Sequence, residues 1–192
     1  MKKDIILSGV GGQGILSIAT VIGEAATAAG LFLKQAEVHG MSQRGGDVQS
    51  NLRLSTEIIH SDLIPSGAVD LIISMEPMEA LRYLPYLSAD GKVVTSAKPF
   101  VNIPNYPPEQ DLLEELSSLP NVVMLDIEET AKASGNPKGA NMVLLGMAAP
   151  AIGILDADAL RAAIGRVFAR KGDAVVAANC KAFDLGLEAG LK

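Results

Sequence analysis

The chain has 192 residues, a formal net charge of −6 at pH 7 and a hydrophobic share of 48%, of which little is aromatic. This length favours one well-packed core over two domains, and the acidic balance lacks the clustered basic surface that nucleic-acid binding requires. The single cysteine, Cys180, excludes an internal disulfide, a four-cysteine zinc site and an iron–sulfur cluster held by this chain alone, and it suits a reducing compartment.

The first part of the chain predicts a strand, a turn, a helix and a second strand. Residues 4–8 are apolar enough for a buried strand, and the apolar periodicity of residues 13–29 predicts a helix that ends at Gly30. Residues 31–38 predict the second strand. Together these elements are expected to form the right-handed crossover that opens a doubly wound sheet.

The next strand has a polar face. Residues 39–46 predict a loop, and residues 47–54 alternate polar and mostly apolar positions with a period of two. A strand covered by helices on both sides would not carry such a face. We therefore expect an antiparallel insertion whose polar side meets solvent, a cleft or a partner. The polar positions are Asp47, Gln49, Asn51 and Arg53.

The remaining chain resumes the alternation and then becomes helical. Strands are predicted at 70–75, 92–95 and 122–127, a proline-rich loop at 99–108, and helices at 77–87, 109–119, 128–134, 140–152, 156–170 (with Asp156 as N-cap) and 174–191. We expect residues 1–192 to form a single α/β domain. Its expected architecture is a three-layer, doubly wound, Rossmann-like, mostly parallel sheet with an antiparallel insertion and a helical C-terminus.

Neither a membrane segment nor an export signal is predicted. The longest uncharged stretch, residues 142–155, is too short for a bilayer and is interrupted by Gly146, Pro150 and Gly153, so a buried core helix is the better interpretation. Residues 1–4 lead into the first strand without the long apolar stretch of a signal peptide. We expect a cytoplasmic protein without a membrane partner.

A glycine turn between the first strand and the first helix carries the main functional signal. Gly9-Val10-Gly11-Gly12-Gln13-Gly14 matches G-x-G-x-x-G in the context that gives this pattern its meaning. Such glycines allow close backbone approach, and the N–H groups at a helix start attract phosphate or pyrophosphate. The alternative is that the glycines only allow the helix and the strand to pack closely.

A second unusual segment follows the second strand. In Glu37-Val38-His39-Gly40-Met41-Ser42-Gln43-Arg44-Gly45-Gly46, the guanidinium of Arg44 and the bare N–H groups of Gly45 and Gly46 suit a carboxylate or phosphate. A solvated surface loop is the alternative. Glu37 is the only candidate for the acid that holds a dinucleotide ribose, and its spacing from Gly14 is only loosely right. Glu76 is either a ligand-facing residue at a strand end or part of the next helix's first turn.

Both segments together carry a family resemblance. Gly-x-Gly-Gly-Gln-Gly followed by Glu-x-His-Gly-Met-x-Gln-Arg-Gly-Gly resembles the small, gamma-type subunit of 2-oxoacid:ferredoxin oxidoreductases. Residues 76–87 (EPMEALRYLPYL) and 135–146 (GNPKGANMVLLG) look like the indolepyruvate branch, whose small subunit is called beta.

The resemblance implies a function that this chain could not perform alone. Enzymes of this family decarboxylate a 2-oxoacid on thiamine diphosphate, pass electrons through iron–sulfur clusters to ferredoxin, and release an acyl-CoA. The chain lacks a Gly-Asp-Gly thiamine and magnesium motif and cluster cysteines, so the resemblance implies a large catalytic partner that holds thiamine diphosphate, Mg and the clusters. We assign no catalytic residue and no metal ligand to this chain.

The expected role of this subunit is to close one wall of the active cleft and to help hold CoA or cofactor phosphates. The predicted contact residues are Gly9, Gly11, Gly12, Gln13, Gly14, Arg44, Gly45, Gly46 and Asn141. Two other classes stay open: a stand-alone NAD(P)- or nucleotide-binding protein, and a partner whose turn has lost its ligand and that serves only in docking.

Overall fold

A computed structural model describes residues 1–39 and 45–191. The chain forms a six-stranded sheet with strand order β2-β3-β1-β4-β5-β6. The strands are β1 (Lys2–Val10), β2 (Phe32–His39), β3 (Asp47–Ser55), β4 (Val69–Ser74), β5 (Leu87–Ser96) and β6 (Val122–Leu125). The helices are α1 (Ile15–Ala28), α2 (Pro77–Arg82), α3 (Glu109–Ser117), α4 (Ile127–Ala133), α5 (Ala140–Ile152), α6 (Ala157–Phe168) and α7 (Asp173–Gly190).

Strands β1, β4, β5 and β6 are parallel neighbours in the sheet. β3 lies on the other side of β1 and runs antiparallel to it. β1 pairs in parallel with β4, β4 with β5, and β5 with β6. β3 runs antiparallel to β1 on one side and to β2 on the other. The predicted doubly wound fold with an antiparallel insertion is confirmed. The insertion separates the two strands of the opening crossover, which the sequence interpretation did not specify.

Two apolar clusters hold the layers together. Ile5 and Leu7 of β1 belong to the larger cluster, which includes side chains from α1, α4, α5, α6 and α7. Ile6, between them, belongs to the smaller cluster with α2 and α3. All three side chains are fully buried. Because successive side chains of a strand point to opposite faces, this uninterrupted apolar run is what a strand covered on both faces requires.

Helix α5 is the central helix of the larger layer. Every residue from 142 to 149 is buried, as expected for a helix that is apolar on all sides. It packs so closely on α7 that a Cβ at Gly186 would lie 1.9 Å from the Val143 carbonyl oxygen. The predicted core helix is thus confirmed. Among the described residues, no helix is both long and apolar enough to cross a bilayer.

The polar face of β3 differs from its prediction at Asn51 and Arg53. Asn51 is buried, and its side-chain oxygen accepts a hydrogen bond from the Ile64 N–H. Arg53 forms an ion pair with the fully buried Asp4 and donates to the carbonyls of Ser61 and Leu63. The connection between β3 and β4 therefore folds over this half of the face, so its polar groups find partners inside the chain.

One helix boundary also differs from prediction, and one predicted helix cap is confirmed. Helix α2 ends at Arg82, and a short 3-10 turn (Leu84–Tyr86) with a proline near its start leads into β5, so the predicted 77–87 helix is too long. Proline lacks the N–H that would continue the helical ladder. The predicted Asp156 N-cap is confirmed, because its carboxylate accepts from the Ala159 N–H at 2.7 Å.

Candidate functional site

Two positions of the turn between β1 and α1, Gly9 and Gly14, need glycine for steric reasons. A Cβ at Gly9 would lie 2.8 Å from Gln13 Oε1 and 2.9 Å from Met75 Cβ. Gly14 precedes α1 with φ +88°, a left-handed conformation that favours glycine, and a Cβ there would lie 2.7 Å from Asn141 Nδ2. The close packing around the turn therefore requires glycine at both positions.

Two side chains fix the conformation of this turn. Gln13 Oε1 accepts a hydrogen bond from the Val10 N–H at 2.7 Å, and Gln13 Nε2 donates to the Met75 carbonyl at 3.4 Å. Asn141, at the start of α5, donates from Nδ2 to the Gly14 carbonyl at 3.2 Å. Gln13 therefore ties the turn to the end of β4, and Asn141 ties it to α5. Both residues act on the backbone of the turn, whatever ligand the turn binds.

The two glycine-containing motifs of the sequence meet in space. The Gly11 N–H donates to the Gly46 carbonyl at 2.9 Å, which joins the turn to the end of the second motif. Gly45 has φ +76°, and its carbonyl accepts from Asn102 Nδ2 at 2.8 Å. Arg44 lies outside the described residues, so its role stays a prediction. The structure thus brings together the described members of the predicted site.

Two recesses flank the turn. One of about 270 Å³ lies between the turn and β3, and one of about 480 Å³ lies on the α5 side. The first is lined mainly by backbone and apolar groups, and the second includes the side chains of Lys132, Lys138 and Glu128. Within residues 1–39 and 45–191, no side chain caps the N-terminus of α1. The positive end of the α1 dipole and the two lysines favour an anionic group on that side.

A buried carboxylate lies at the same edge of the sheet. Glu76 is fully buried and caps the N-terminus of α2, where its Oε2 accepts from the Glu79 N–H at 2.9 Å. Its Oε1 accepts from the Phe100 N–H at 3.3 Å and from the Tyr106 hydroxyl. Burial, and then the hydrogen bond to Glu76, raises the pKa of Tyr106 well above its usual range.

The neighbouring acid is paired with an arginine. Arg82 donates to both carboxylate oxygens of Glu79, at 2.8 and 3.1 Å. Burial is the main effect on Glu79 and raises the pKa of its carboxyl, although the Arg82 hydrogen bonds oppose this. Glu76 itself is the N-cap of α2, so it lies at the start of that helix, close to where one of the two sequence interpretations put it, and it also anchors the loop after β5.

Sequence reasoning missed Asn102 and Tyr106. Both lie in the proline-rich loop, and neither belongs to a recognisable motif. The only signal was the residue type, since asparagine and tyrosine side chains carry hydrogen-bonding groups that can fix a loop. Their partners, Gly45 and Glu76, are far away in sequence, so only the fold identifies the contacts.

The dinucleotide interpretation of Glu37 does not fit the sheet order. In the usual arrangement the acid ends the strand adjacent to the one before the glycine turn. Here β3 lies between β1 and β2, so Glu37 is about two strand spacings, roughly 10 Å, from β1. Glu37 also accepts a 3.4 Å hydrogen bond from Gln35. This geometry disfavours a ribose contact of the NAD type.

No metal centre is apparent within the described part of the chain. Residues 1–39 and 45–191 contain no group of three or more His, Cys, Asp or Glu side chains that could hold a metal ion. The only cysteine in the sequence is Cys180, a free thiol in α7. A four-cysteine cluster cannot be built from these residues.

The fold and the joined glycine motifs define a class of small oxidoreductase subunits. The structure resembles the keto/oxoacid ferredoxin oxidoreductase gamma subunit from Geobacter sulfurreducens, with a TM-score of 0.71, 27% identity and 98% coverage of both chains. It also shares its fold with the pyruvate oxidoreductase subunit PORC from Thermotoga maritima, with a TM-score of 0.73, 19% identity and coverage of 97% and 96%.

Sequence comparison gives the family. The model for pyruvate ferredoxin/flavodoxin oxidoreductase matches residues 4–189, and the chain belongs to that family. The chain is 37% identical to the indolepyruvate oxidoreductase subunit IorB of Pyrococcus horikoshii, covering 98% of this chain and 96% of the relative. It is 30% identical to the 2-oxoglutarate synthase subunit KorC of Methanothermobacter marburgensis, covering 85% of each. The resemblance stated from the sequence is confirmed.

Proposed function

We propose that this chain is the accessory subunit of a cytoplasmic 2-oxoacid:ferredoxin oxidoreductase that acts on indolepyruvate or a related arylpyruvate. The enzyme would release an acyl-CoA and reduced ferredoxin. The observation that carries this proposal is the nearly full-length similarity to IorB, at 37% identity. The similarity to KorC is weaker at 30%, which favours the aryl substrate over 2-oxoglutarate.

The cofactors of such an enzyme do not fit this chain. A single cysteine cannot ligate an iron–sulfur cluster, and the described residues offer no cluster of metal ligands. We therefore assign thiamine diphosphate, magnesium and the clusters to a large catalytic partner. The chain matches 31% of a longer chain in a 2-oxoglutarate:ferredoxin oxidoreductase from Magnetococcus marinus, where the same fold is one part of a larger enzyme. This supports a role as one part of such an enzyme.

We assign the phosphates of CoA, or of a cofactor on the partner, to the glycine turn. Gly9, Gly12 and Gly14 shape the turn, Gly11 joins it to Gly46, and Gln13 and Asn141 brace it. Gly45 and Gly46 lie against it, because Gly46 accepts from Gly11. The Magnetococcus marinus structure contains coenzyme A, and its 21% identity to this chain supports the fold alone. Arg44 completes the proposed set from the sequence.

The test of the assembly is the iron, thiamine and subunit content of the complex that a tagged chain recovers from its host. A large partner containing iron and thiamine is the expected result. A homogeneous homo-oligomer without cofactors would contradict the proposal, and saturable NADH binding by that oligomer would support the stand-alone alternative. Turnover of indolepyruvate against 2-oxoglutarate by the recovered complex then tests the substrate.

The test of the ligand is Arg44→Ala in the recovered complex. Loss of a charge-assisted hydrogen bond to phosphate should raise the KM for CoA by about 10-fold or more. Arg170→Ala is the matched control, because Arg170 is exposed in the turn between α6 and α7. Unchanged kinetics for Arg44→Ala, with a normal complex, would favour a subunit that serves only in docking.

A further inference from the structure

The loop between β5 and α3, residues 97–108, is fixed at both ends of its central part. Glu76 Oε1 accepts hydrogen bonds from the Phe100 N–H at 3.3 Å and from the Tyr106 hydroxyl. Glu76 itself is fully buried and is held in place as the N-cap of α2. Four prolines, at 99, 104, 107 and 108, further restrict the backbone of the loop. The residues between these anchors therefore have a defined position.

Asn102 lies between the two anchors and contacts the second glycine motif. Its Nδ2 donates to the Gly45 carbonyl at 2.8 Å. The next peptide unit of that motif carries the Gly46 carbonyl, which accepts from the Gly11 N–H at 2.9 Å. Hydrogen bonds and short stretches of backbone thus connect Glu76 through the loop to Gly45, Gly46 and the glycine turn.

The contacts of Asn102 do not suit a role in stability alone. Its Oδ1 is buried and has no hydrogen-bond partner among residues 1–39 and 45–191. A stranded buried acceptor costs as much free energy as an ordinary hydrogen bond gains, or more. Counted over these described residues alone, the amide gives little net stabilisation, although it positions a glycine carbonyl that no other described side chain holds.

We propose that Asn102 is a positioning residue that holds the Gly45–Gly46 backbone against the glycine turn. Glycine has no side chain to fix its backbone, and Gly45 is in the left-handed region, so an external contact is needed to select one conformation. Through the Gly46–Gly11 hydrogen bond, Asn102 sets the arrangement of the N–H groups that face the ligand. The consequence for CoA rests on the proposed function, whereas the coupling to Gly11 does not.

The first measurement is amide hydrogen exchange of the purified chain in three variants. Asn102→Ala removes the side-chain amide, and Asn102→Asp keeps its shape but replaces the donor. Asn105→Asp is the matched control, because Asn105 is exposed in the same loop. We expect Gly11 exchange to accelerate by about 5-fold or more in both Asn102 variants and to stay unchanged in the control. The Ile6 amide, in the core of β1, reports any general loss of stability.

The second measurement is steady-state kinetics of the complex with the catalytic partner. Both Asn102 variants should raise the KM for CoA by about 3- to 10-fold with kcat within about 2-fold, because binding geometry is lost and the chemistry on the partner is untouched. Unchanged Gly11 exchange in both variants would overturn the positioning role. Faster exchange with an unchanged KM would overturn its consequence for CoA.

These outcomes separate the inference from the proposed function. A wild-type complex without saturable dependence on CoA would refute the proposed function, and the exchange of Gly11 would still decide whether Asn102 positions the turn. Equal acceleration of Gly11 and Ile6 would indicate a general loss of stability and would also overturn the positioning role.

Discussion

The ion pair between Arg53 and Asp4 gives the strongest stability prediction. The Asp4 carboxylate is fully buried, and Arg53 Nε and Nη2 donate to its two oxygens at 2.8 and 3.1 Å. Arg53 Nη1 also binds the carbonyls of Ser61 and Leu63. Arg53→Met would therefore remove two hydrogen bonds from the buried Asp4 carboxylate and leave Lys2 as its cationic partner.

The expected cost is about 3 kcal/mol of unfolding free energy. Removing one partner of a buried pair costs about 3–5 kcal/mol, because the remaining charge is desolvated without compensation. Lys2 remains 2.8 Å from Asp4, and its side chain is 54% exposed, so it compensates only in part and places the loss at the lower end of that range. Urea unfolding of the purified chain measures this difference.

Two further variants identify the cause. Lys34→Met breaks the 2.8 Å ion pair between Lys34 and Asp62, whose side chains are 38% and 55% exposed. This change should lower the unfolding free energy by less than about 1 kcal/mol. Adding Asp4→Asn to Arg53→Met should recover part of the loss, because the stranded charge is removed. A loss below about 1 kcal/mol for Arg53→Met, or no recovery in the double variant, would refute this reasoning.

Two predictions concern the helical layer and the alkaline limit of stability. Gly186→Ala should lower the unfolding free energy by about 3 kcal/mol, because its Cβ would lie 1.9 Å from the Val143 carbonyl oxygen. Gly165→Ala, whose Cβ would meet nothing within 4 Å, should stabilise α6 by about 0.5–1 kcal/mol. Thermal melts of the two variants test this difference. Equal melting temperatures would contradict the close α5–α7 contact. Burial raises the pKa of Tyr83 to about 12, above the ordinary value of about 10, so its contribution to stability is complete below pH 10 and is lost as pH rises towards 12. Urea unfolding at pH 9, 10 and 11 should show a smaller decline for Tyr83→Phe than for the wild-type chain, and parallel declines would contradict this assignment.

Local patterns predicted the parts of this fold that depend on local physics. The apolar run around Ile6, the turn from Gly9 to Gly14 and the Asp156 cap are each specified within a few residues. The uncharged stretch of residues 142–155 predicted a buried core helix because it is too short to span a bilayer. These features are all confirmed in the structure.

The arrangement of the strands and the hydrogen bonds of the site were not predictable in this way. The position of β3 between β1 and β2 depends on pairings such as Ile6 with Asn51, which lie 45 residues apart. Burial of the polar Asn51 depends on the loop that folds over it. Likewise, Asn102 contacts Gly45 across 57 residues, and no local pattern marks such a pair.

The insertion of β3 also constrains the order in which the chain can fold. β1 pairs with β3 and β4, and β2 pairs with β3. A fragment that ends at residue 46 would contain two strands and a helix but no native strand pair. Such a fragment would expose unpaired backbone N–H and C=O groups and apolar side chains until β3 is synthesised. The opening strand–turn–helix–strand unit is therefore not an autonomous folding unit here, although its sequence resembles one.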